Sequence, residues 1–555
     1  MSIYLQLANL IFENINETLS DLEKLYPPRS LDKLAEVTRF APSPTGFLHT
    51  GSLFTALVAH KIAKDTNGVF YLRLEDTDTK REIEGSGEEL IQQLEIFKIN
   101  IDEGYLEDED LGKYGPYRQS QRANIYHIVI KYLIENNLAY PCFCSTEELD
   151  TLRKTQEKQK VVTGYYGKYA KCRYLSAEEA IKKIKSGQPY VIRYRSHGNH
   201  ERKITLSDVI RGDITIAEND LDIVILKADL LPTYHFAHVV DDHFMRTTLV
   251  IRGEEWISSL PIHIELFNAL KWSAPKYAHL PLIMKLVDGH KHKLSKRRDQ
   301  EAAVTYFIED GYPVEALNVY LMSIANSSFE QWTVDHNSYE IEDFPFDIKK
   351  MSLDGALFDI DKLNYFAKEI IARLKANELA TRSKRWAVNY SPELLELINR
   401  DFIYYENILN IEREKEKPRK DIAKFNDIYR QIRFFYHDLY LELISETLPF
   451  NETIKKETII SFLTLFISKN DYSLNNSDWF NALKEIASQV GFASSAKVYK
   501  NNKEGYVGHV GDAAEILRIS LTSSKNAPNL WDILQLLKKE EVDKRLNLII
   551  KKLSE

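Results

Sequence analysis

Cysteine is scarce in this chain, which has three cysteines in 555 residues. So few thiols exclude a fold held together by a framework of disulfides, and they indicate a reducing compartment, for which the cytoplasm is the default. Long apolar runs are missing as well. The longest candidate, residues 459–467, has about half the length that a membrane-spanning helix needs, so we expect no membrane segment.

The first 36 residues lack the pattern of a targeting segment. They contain six acidic and three basic residues and no apolar core followed by a small-residue cleavage site. This composition disfavours a secretory signal and an organelle transit peptide alike. Leucines and isoleucines from Leu5 to Leu22 recur at helical spacing, which predicts one amphipathic helix that ends at Tyr26-Pro27-Pro28 and packs on a neighbouring domain.

An excess of positive charge is also missing, since the formal net charge is −9 at pH 7. This balance argues against nucleic-acid binding through bulk positive charge, although a local basic track can coexist with an acidic surface. The hydrophobic content of 44% is ordinary for a globular protein. A chain of this length exceeds one hydrophobic core, and we expect roughly three or four domains.

Proline and glycine concentrate in one turn, where residues 42–51 hold two of each. A predicted strand over 37–41 leads into this turn, and a predicted helix over 52–64 follows it. The two residue types fix the backbone and allow a ligand to come close, and the start of a helix favours an anion. His49 lies here, where its imidazole can donate a hydrogen bond to a phosphate oxygen. The alternative is an ordinary strand–turn–helix connection that carries a histidine.

Two ionisable residues end predicted strands further along the chain. Glu75 follows the apolar strand that begins at Gly68, and Arg252 ends the strand that begins at Thr248. Ligands of an open parallel sheet bind outside the carboxyl ends of its strands, so we expect Glu75 in the same crevice as His49. An arginine in such a crevice binds carboxylates through two parallel hydrogen bonds. For Glu75, capping of a following helix is the alternative.

All the cysteines lie within residues 142–172. A set of three thiolates suits a zinc ion, and a fourth ligand would close the tetrahedron of a structural site. Tyr169, three residues before the last cysteine, is one candidate, and Tyr165 and Tyr166 are others, although phenolate is an uncommon ligand. Three reduced cysteines in a hydrophobic core are the alternative. The cysteines are Cys142, Cys144 and Cys172.

Two further clusters carry residues with ligand chemistry. Residues 232–243 hold three histidines and two aspartates, but two adjacent valines favour a core helix over a metal site. Residues 289–298 are the most basic run of the chain. Lys293 and Lys296, with little bulk between them, suit a mobile loop that closes over a triphosphate. A solvated basic loop is the alternative.

The chain beyond about residue 369 has the periodicity of helices. Apolar and charged residues recur there at a spacing of about 3.6, with few strand-like runs. We therefore expect a helical region that closes with a helix over residues 531–553.

Taken in order along the chain, these motifs resemble those of the class I aminoacyl-tRNA synthetases, and most closely the bacterial-type glutamyl-tRNA synthetases. The matching segments are Arg39-Phe-Ala-Pro-Ser-Pro-Thr-Gly, His49-Thr-Gly-Ser, Leu74-Glu-Asp-Thr-Asp78, Gly115-Pro-Tyr-Arg-Gln-Ser, Pro232-Thr-Tyr, Val239-Val-Asp-Asp-His, Val250-Ile-Arg-Gly-Glu-Glu-Trp256 and Lys293-Leu-Ser-Lys-Arg297. The resemblance runs from Thr38 to about Phe366 and continues more weakly to Leu553. Two departures are Ser52, in place of the class signature's second histidine, and Leu294, an apolar residue where the class often has methionine.

The resemblance implies an α/β Rossmann-like nucleotide-binding catalytic domain with an inserted α/β acceptor-binding domain, followed by a stem-contact region and an all-α anticodon-binding domain. The expected boundaries are 1–36 for an N-terminal helical extension, 37–115 and 231–288 for the halves of the catalytic domain, 116–230 for the inserted acceptor-arm-binding domain with the zinc site, 289–368 for the lysine loop and stem-contact region, and 369–555 for the anticodon-binding domain. The implied partners are tRNA(Glu), ATP and L-glutamate, with no membrane, and a monomer is the usual state of the family.

The implied reaction has two steps. The α-carboxylate of L-glutamate attacks the α-phosphorus of ATP, and the glutamyl group of the adenylate then passes to the terminal adenosine of tRNA(Glu). Pyrophosphate and AMP are released, Mg²⁺ accompanies ATP, and no nucleophilic side chain is required. Carried over residue by residue, the ATP-binding set is His49, Gly51, Ser52, Lys293 and Lys296, of which His49 and the two lysines are catalytic. The glutamate-binding set is Arg39, Ser43, Glu75, Tyr234 and Arg252.

The remaining site residues also come from the resemblance. The implied zinc ligands are Cys142, Cys144, Tyr169 and Cys172, although the family's tyrosine usually stands one residue further from its cysteine and some members have lost the metal. Arg419 matches an arginine associated with the third base of the anticodon. In the glutamate pocket, a neutral glutamine would leave a buried guanidinium unpaired at a cost of roughly 3–5 kcal/mol, which is enough to reject it without an editing site.

Other functions fit the sequence less well. A glutaminyl-tRNA synthetase has β-barrels in its anticodon region, and the short paralogue that glutamylates an anticodon nucleoside has no anticodon domain. A catalytically inactive RNA-binding relative would not need the phosphate-site and glutamate-site residues. A nucleotidyltransferase outside the synthetases would need neither the cysteine cluster nor the helical tail. Whether the enzyme also charges tRNA(Gln) is left open by the sequence.

Overall fold

The fold is that of a computed structural model, which describes residues 2–78, 82–107, 109–295, 298–353 and 356–555. Two compact units divide the chain. The first consists of the residues up to Phe307 together with Leu317–Ile360, and the second of Ile308–Ala316 together with Asp361–Glu555. The finer predicted division into catalytic halves, insertion and stem-contact region stays a prediction.

The N-terminal segment forms two helices, α1 (Ile3–Ile11) and α2 (Leu19–Leu25), so the prediction of a single helix is wrong. The first helix ends because the chain leaves helical geometry at Phe12, with φ −127° and ψ 64°. The second begins at Thr18, whose hydroxyl accepts a hydrogen bond from the Asp21 backbone N–H while the Asp21 carboxylate accepts from the Thr18 N–H. Such a reciprocal cap is a strong start for a new helix.

A parallel three-stranded sheet carries the turn that is rich in proline and glycine. Strands β1 (Val37–Phe40), β2 (Val69–Leu72) and β3 (Glu103–Gly104) lie in that order, and helices α3 (Thr50–Asp65) and α4 (Ser86–Ile96) connect them. The first two strands are almost entirely buried, as expected of parallel strands that helices cover. Because the strands are parallel, their carboxyl ends meet at one edge of the sheet.

The predicted insertion, residues 116–230, contains an antiparallel sheet with the order β4 (Ala139–Cys142), β5 (Val191–Tyr194), β8 (Val224–Leu226). Its helices are α5 (Ala123–Glu135), α6 (Thr146–Gln159) and α7 (Ala177–Lys185). The hairpin of β6 (Lys203–Asp208) and β7 (Gly212–Ala217) lies outside this sheet and joins the next one. Part of the predicted insertion therefore extends the sheet of the predicted catalytic domain.

The next sheet has the order β7–β6–β10–β9. Its later elements are α8 (Tyr234–Phe244), β9 (Leu249–Gly253), α9 (Leu260–Ala269) and β10 (Lys276–Leu280). The backbone N–H of Thr248 donates to Val37 O at 3.0 Å, which places the start of β9 beside the start of β1. The carboxyl ends of β1, β2 and β9 therefore lie close together.

The first part of the basic run, up to Lys293, lies in a hairpin rather than in the predicted loop, while Leu294 and Ser295 belong to no helix or strand. Strands β11 (Met284–Val287) and β12 (His290–Lys293) pair in antiparallel register, and Asp288 and Gly289 make the turn with φ of 50° and 79°. Two residues with positive φ suit the right-handed twist of a hairpin. Lys293 thus ends a strand, and helices α10 (Val304–Glu309), α11 (Val314–Ala325) and α12 (Ser328–His336) follow.

The second unit, whose residues are all described, is helical as predicted, with one short parallel strand pair, β13 (Phe492–Ala493) and β14 (Gly508–His509). Its helices are α13 (Ile360–Arg373), α14 (Ala376–Tyr390), α15 (Pro392–Arg400), α16 (Phe402–Asn410), α17 (Asn426–Ile432), α18 (His437–Ser445), α19 (Lys456–Lys469), α20 (Asn476–Ser488), α21 (Ala496–Asn501), α22 (Val510–Thr522) and α23 (Leu530–Ser554). A kink at Lys538, with φ 62° and ψ 161°, divides α23. Among the described residues, no helix has the length and apolarity to cross a membrane.

Candidate active site

A cavity of about 820 Å³ opens at the carboxyl ends of β1, β2 and β9. The described residues that we predicted to bind ATP or glutamate all line it, namely Arg39, Ser43, His49, Gly51, Ser52, Glu75, Tyr234, Arg252 and Lys293. Lys296 lies outside the described residues. The expectation that Glu75 and His49 share one crevice is therefore confirmed, while the role of each residue stays a prediction.

His49 caps the N-terminus of α3. Its Nδ1 accepts a hydrogen bond from the backbone N–H of Gly51 at 2.9 Å. A neutral imidazole that accepts at Nδ1 carries its proton on Nε2, which is then a donor. A Cβ atom at Gly51 would lie only 3.2 Å from His49 Nδ1, so glycine allows the ring to approach the helix closely. The imidazole and the helix N-terminus thus offer two kinds of donor to an anion.

Arg39 is 4% exposed and is held by two acceptors. Its Nε donates to Asp242 Oδ1 at 3.3 Å, and its Nη1 donates to Ile251 O at 3.2 Å. Asp242 also accepts from the fully buried Arg73 at 2.7 Å. Although burial acts to raise the pKa of Asp242, the two guanidinium groups hold it below the ordinary value. The sequence-based predictions did not include Arg73, which is a charge within an apolar run and could have been noticed for that reason.

The contacts of Asp241 explain why α8 is a core helix rather than a metal site. Its carboxylate accepts hydrogen bonds from Arg122 Nε at 2.6 Å, from Gln119 Nε2 at 2.7 Å and from the Tyr126 hydroxyl at 2.8 Å. These protein donors occupy the oxygens that a metal ion would need. In the described part of the chain, the group of side chains with metal-binding geometry is the cysteine cluster.

Glu75 faces the cavity from the end of β2. Its Oε1 accepts a hydrogen bond from Arg73 Nη2 at 3.0 Å. Burial raises the pKa of Glu75, and the nearby cations Arg73 and Arg39 oppose this rise without cancelling it. An additional positive charge beside Glu75 would favour the ionised form, so the site suits a cationic group of a ligand.

Arg252 is 5% exposed and has different partners from Arg39. Its Nε donates to His279 Nε2 at 3.0 Å, and its Nη1 lies 3.2 Å from His263 Nδ1. Its Nη2 lies 3.4 Å from Trp256 O. Within the described part of the chain, none of these partners is a carboxylate, so the buried guanidinium has no counter-charge in contact with it. A ligand carboxylate would supply one through charge-assisted hydrogen bonds.

Tyr234 begins α8 beside this arginine. Its ring packs on that of Trp256 with a centroid distance of 4.5 Å. Burial raises the pKa of Tyr234 to about 12, so the hydroxyl keeps its proton at neutral pH. The predictions from sequence did not assign a role to Trp256, although it belongs to the same motif as Arg252. They did not include His263 or His279, because these residues lie outside the motifs and meet Arg252 only in the fold.

Lys293 lies at the rim of the cavity. Its Nζ donates to Glu255 Oε1 at 3.0 Å, and both side chains are about half exposed, at 52% and 42%. The next residue, Leu294, is 1% exposed, which confirms that the departure from methionine falls in an apolar slot. Asp299 accepts from the backbone N–H of Ser295 at 2.9 Å. Leu294 is therefore held by burial and Ser295 by a hydrogen bond, while the side chain of Lys293 faces solvent.

The cysteines come together at the end of β4. Their three Sγ atoms lie within 4.8 Å of one another, and those of Cys144 and Cys172 are 3.7 Å apart. A tetrahedral zinc ion with Zn–S bonds of about 2.3 Å would hold two sulfur atoms about 3.8 Å apart. The observed sulfur spacing fits that geometry.

The predicted fourth ligand is corrected by the structure. The hydroxyl of Tyr169 donates to Gln159 Oε1 at 2.9 Å, away from the thiols, so the prediction that Tyr169 completes the site is wrong. The hydroxyl of Tyr165 instead lies 3.2 Å from Cys144 Sγ and 3.5 Å from Cys142 Sγ. Gly164 precedes this tyrosine and has φ 150°, a backbone conformation that glycine adopts most readily.

Arg419 lines a separate concavity of about 720 Å³ in the second unit. Its Nε donates to Asp421 Oδ1 at 2.7 Å, whereas its Nη1 is buried without a hydrogen-bond partner in the described chain. Arg430, Arg433 and Arg518 line the same surface. They were not predicted, and Arg518 joins the others only in the fold, because it comes from α22. Five basic and three acidic residues line this surface, so its net charge is positive although the net charge of the protein is −9.

Comparison with known proteins gives consistent relatives along the whole chain. A family model described as the catalytic domain of class I tRNA synthetases (E and Q) matches residues 36–364. A glutamate–tRNA ligase of Clostridium perfringens strain 13 is 43% identical over 544 residues, which cover 98% of this chain and 100% of the relative. A glutamate–tRNA ligase of Acetivibrio thermocellus is 43% identical over 548 residues, which cover 99% of this chain and 100% of the relative.

Solved structures agree with these relatives. The glutamate–tRNA synthetase of Elizabethkingia anophelis superimposes with a TM-score of 0.74 at 29% identity, over 93% of this chain and 100% of that one. The structure of a glutamate–tRNA ligase of Elizabethkingia meningosepticum, solved in complex with its amino acid, has the same TM-score and identity and covers 93% of this chain and 99% of its own. From the nearly full-length identity, the family model and the shared fold, the chain belongs to the glutamate–tRNA ligases of the class I tRNA synthetase family.

Proposed function

We propose that the cavity at the ends of β1, β2 and β9 is the place where this glutamate–tRNA ligase, which charges tRNA(Glu) with glutamate using ATP, activates the amino acid. The observation that carries this assignment is the pair of opposite charges on one wall. Arg252 is a buried cation without a carboxylate in contact with it among the described residues, and Glu75 is a buried carboxylate that faces the same space. An amino acid with an acidic side chain has a carboxylate that can pair with Arg252 and an ammonium group that can pair with Glu75.

Arg252 and Tyr234 take the side-chain carboxylate of glutamate in this proposal, and Glu75 takes its ammonium group. The two arginines of the pocket, Arg39 and Arg252, differ in whether a protein carboxylate contacts them, and this difference supports the assignment. Arg39 already contacts Asp242, whereas the described partners of Arg252 are neutral. Arg39 and Ser43 complete the pocket wall. A bound glutamine would leave the Arg252 charge unpaired, which costs roughly 3–5 kcal/mol or about two to four decades in specificity.

The phosphates of ATP occupy the other half of the cavity in this proposal. His49 donates from Nε2, the positive end of the α3 helix dipole lies beside Gly51 and Ser52, and Lys293 approaches from the rim. Lys293 must leave Glu255 to do so. The exposed position of that ion pair makes the exchange easy, because solvent-exposed pairs are weak. Lys296 is assigned to the same phosphates on the resemblance of its motif alone.

The chemistry needs positioning more than reactive side chains. An oxygen of the glutamate α-carboxylate attacks the α-phosphorus, the bond to the β-phosphate oxygen breaks, and pyrophosphate leaves. A ribose hydroxyl of the terminal adenosine then attacks the adenylate carbonyl, and AMP leaves. His49, the helix N-terminus and Lys293 stabilise the negative charge on the phosphates, and Mg²⁺ bound to ATP neutralises part of it.

We also propose a structural zinc ion held by Cys142, Cys144, Cys172 and Tyr165. The Tyr165 oxygen lies 3.2 Å and 3.5 Å from two of the sulfur atoms, and an S–Zn–O arrangement with bonds of about 2.3 and 2.0 Å requires about 3.5 Å. The ion would fix the connection between β4 and the segment before α7. It takes no part in the chemical steps.

The remaining parts of the chain are assigned to tRNA. Residues 116–230 bind the acceptor arm in this proposal, and the basic concavity around Arg419 contacts the anticodon, whose unstacked bases are the readable part of an RNA loop. The enzyme acts in the cytoplasm as a monomer, in keeping with its few cysteines and the usual state of its family.

The proposal is tested by aminoacylation with labelled glutamate. The unaltered protein, supplied with ATP and tRNA(Glu), should label that tRNA. Arg252→Gln should lower the rate at subsaturating glutamate by about 30-fold or more, the scale for removing one partner of a buried charge pair. Lys291→Ala, two residues before Lys293 and outside the cavity lining, is the matched control and should retain activity. No labelling by the unaltered protein would contradict the function, and an unchanged rate for Arg252→Gln would contradict the site.

A further inference from the structure

We propose that Asp208 and His279 position the guanidinium group of Arg252 for the substrate carboxylate. Neither residue lines the cavity, and both side chains are completely buried. The inference rests on the proposed role of Arg252 in binding glutamate. It assigns a function to two buried residues that do not touch the substrate and act through the arginine.

The carboxylate of Asp208 is fixed by four donors at the end of β6. Its Oδ1 accepts from the backbone N–H groups of Ile210 and Arg211 at 3.0 Å and 2.9 Å. Its Oδ2 accepts from the backbone N–H of His279 at 3.1 Å and lies 2.7 Å from His279 Nδ1. Although burial acts to raise the pKa of Asp208, these hydrogen bonds hold it below the ordinary value. The group is therefore an ionised acceptor at neutral pH.

This carboxylate decides which nitrogen of His279 carries the proton. An ionised carboxylate only accepts hydrogen bonds, so Nδ1 must be the protonated nitrogen. In the neutral ring, Nε2 then has a lone pair, and it faces Arg252 Nε at 3.0 Å. Burial lowers the pKa of His279, which agrees with the neutral form. Asp208 thus makes His279 an acceptor at the one atom where Arg252 needs it.

Two further side chains, His263 and Tyr277, contact the guanidinium group of Arg252. His263 Nδ1 lies 3.2 Å from Arg252 Nη1, and His263 Nε2 lies 3.0 Å from His235 Nδ1. The ring of Tyr277 lies under the guanidinium at 4.9 Å. Contacts at Nε and Nη1 fix the rotation of a planar group within its plane, and the aromatic ring limits its tilt. The direction in which a bidentate carboxylate can approach is therefore set before the substrate arrives.

A neutral imidazole has an advantage over a carboxylate at this position. Asp242, which contacts Arg39 directly, partly neutralises that arginine. A carboxylate in direct contact with Arg252 would compete with the substrate carboxylate for the same charge. His279 orients the guanidinium group without neutralising its charge. Asp208 contacts His279 rather than Arg252, and it keeps the histidine in the tautomer that accepts from the arginine. The arrangement resembles the outer partners that orient ligating histidines in metal sites.

Two substitutions of His279 separate the proposed role from simple packing. In His279→Gln the carboxamide oxygen reaches the place of Nε2 and can accept from Arg252, whereas in His279→Asn the shorter side chain reaches only the place of Nδ1. We expect His279→Asn to raise the KM for glutamate by about tenfold or more, the loss expected for a hydrogen bond to a charged group, and His279→Gln to keep most of the affinity. Asp208→Asn, which cannot accept on both sides, should behave like His279→Asn.

The readout is pyrophosphate exchange with ATP in the presence of tRNA(Glu), with the KM for glutamate and the KM for ATP measured separately. The KM for ATP should change by less than about twofold, since Arg252 does not face the phosphates in the proposed site. His60→Asn is the control, because His60 packs against Phe70 with ring centroids 5.4 Å apart and is outside the cavity lining. It should change neither constant.

The outcomes distinguish this inference from the site on which it rests. A higher KM for glutamate in Arg252→Gln, together with unchanged constants in His279→Asn and Asp208→Asn, would overturn the positioning role alone. Equal effects of His279→Asn and His279→Gln, or a parallel rise in both KM values, would indicate packing and would also overturn it. An unchanged KM for glutamate in Arg252→Gln would overturn the site and the positioning role together.

Discussion

Arg73 and Asp242 form an ion pair with no exposed side-chain surface, with 2.7 Å between Nη1 and Oδ1. The same carboxylate oxygen lies 3.3 Å from Arg39 Nε. Asp242 therefore fixes two guanidinium groups behind the candidate glutamate pocket. Removal of this carboxylate would leave Arg39 without a carboxylate in contact among the described residues, and Arg73 with Glu75 as its hydrogen-bonded carboxylate.

Asp242→Asn should lower the free energy of unfolding by about 3–5 kcal/mol, the cost of breaking a buried ion pair from one side. Urea unfolding of the full chain, followed by circular dichroism, measures this loss. Glu157→Gln is the matched control, because its partner Arg153 lies 3.0 Å away on an exposed helix surface. The control should cost less than about 1 kcal/mol, and equal losses in the two variants would contradict the prediction.

The raised pKa of Glu75 predicts a pH dependence of glutamate binding. As the pH falls through this pKa, the carboxyl group of the free enzyme becomes protonated and no longer attracts the substrate ammonium. The KM for glutamate should therefore rise on acidification, and the rise should begin above the ordinary glutamate pKa of about 4.3. Measurement of the KM at a series of pH values locates the inflection.

Glu75→Gln provides the control for that profile. It should raise the KM at neutral pH and remove the inflection, because the substituted amide does not titrate. An inflection that persists in Glu75→Gln would assign the titration to another group.

The cysteine cluster predicts that zinc retention depends on Tyr165 and not on Tyr169. Metal analysis of the purified protein should find about one zinc ion per chain. Tyr165→Phe should lose the metal to a chelator at a concentration at least about tenfold lower, the scale on which a removed contact weakens a metal site. Tyr169→Phe, whose hydroxyl contacts Gln159 instead, should retain zinc like the unaltered protein. Absence of zinc from all three proteins would leave reduced cysteines in a core.

The sequence was informative where short segments carry both the residue and its environment. Glu75 and Arg252 end buried parallel strands, and the carboxyl ends of such strands collect ligand-binding residues, so their place in the cavity could be predicted. His49 was predictable for the same reason, since strand, turn and helix follow one another within one stretch. The helical character of the second unit followed from its periodicity.

Contacts between distant segments could not be predicted in this way. His279 meets Asp208 because β10 pairs with β6, whose hairpin belongs by sequence to the inserted region. Tyr165 and Tyr169 both lie within seven residues of Cys172, so their spacing alone does not show which hydroxyl group lies beside the thiols. The basic run 289–298 was predicted to be a loop along its whole length, whereas a turn with positive φ at Asp288 places the residues up to Lys293 in a regular hairpin.

His49→Ala and Lys293→Ala test the phosphate half of the cavity. Each should lower glutamate-dependent pyrophosphate exchange by roughly a hundredfold, the usual loss when one charge-stabilising donor is removed. The loss should fall mainly on kcat, because the donors act on charge that develops in the transition state. Lys291→Ala is the control on the same strand. A change of less than about threefold in either test variant would remove that residue from the phosphate site.

Arg419→Ala tests whether the basic concavity of the second unit contacts the anticodon. The buried Nη1 atom of Arg419 has no partner in the described chain, and a base or phosphate of RNA would provide an acceptor. The variant should raise the KM for tRNA(Glu) by about tenfold, on the scale of 1–3 kcal/mol for a specific arginine–base contact, and leave the KM for glutamate unchanged. Lys497→Ala, at an exposed lysine outside this concavity, should change neither value.

The comparison of two tRNAs shows which part of the RNA Arg419 contacts. The anticodons of tRNA(Glu) and tRNA(Gln) differ at their third base. If Arg419 contacts that base, Arg419→Ala should reduce charging of tRNA(Glu) while narrowing the difference between the two tRNAs, because the loss falls on the correct base alone. A uniform loss for both tRNAs would assign the arginine to the RNA backbone, since phosphate contacts position a nucleic acid without reading its sequence.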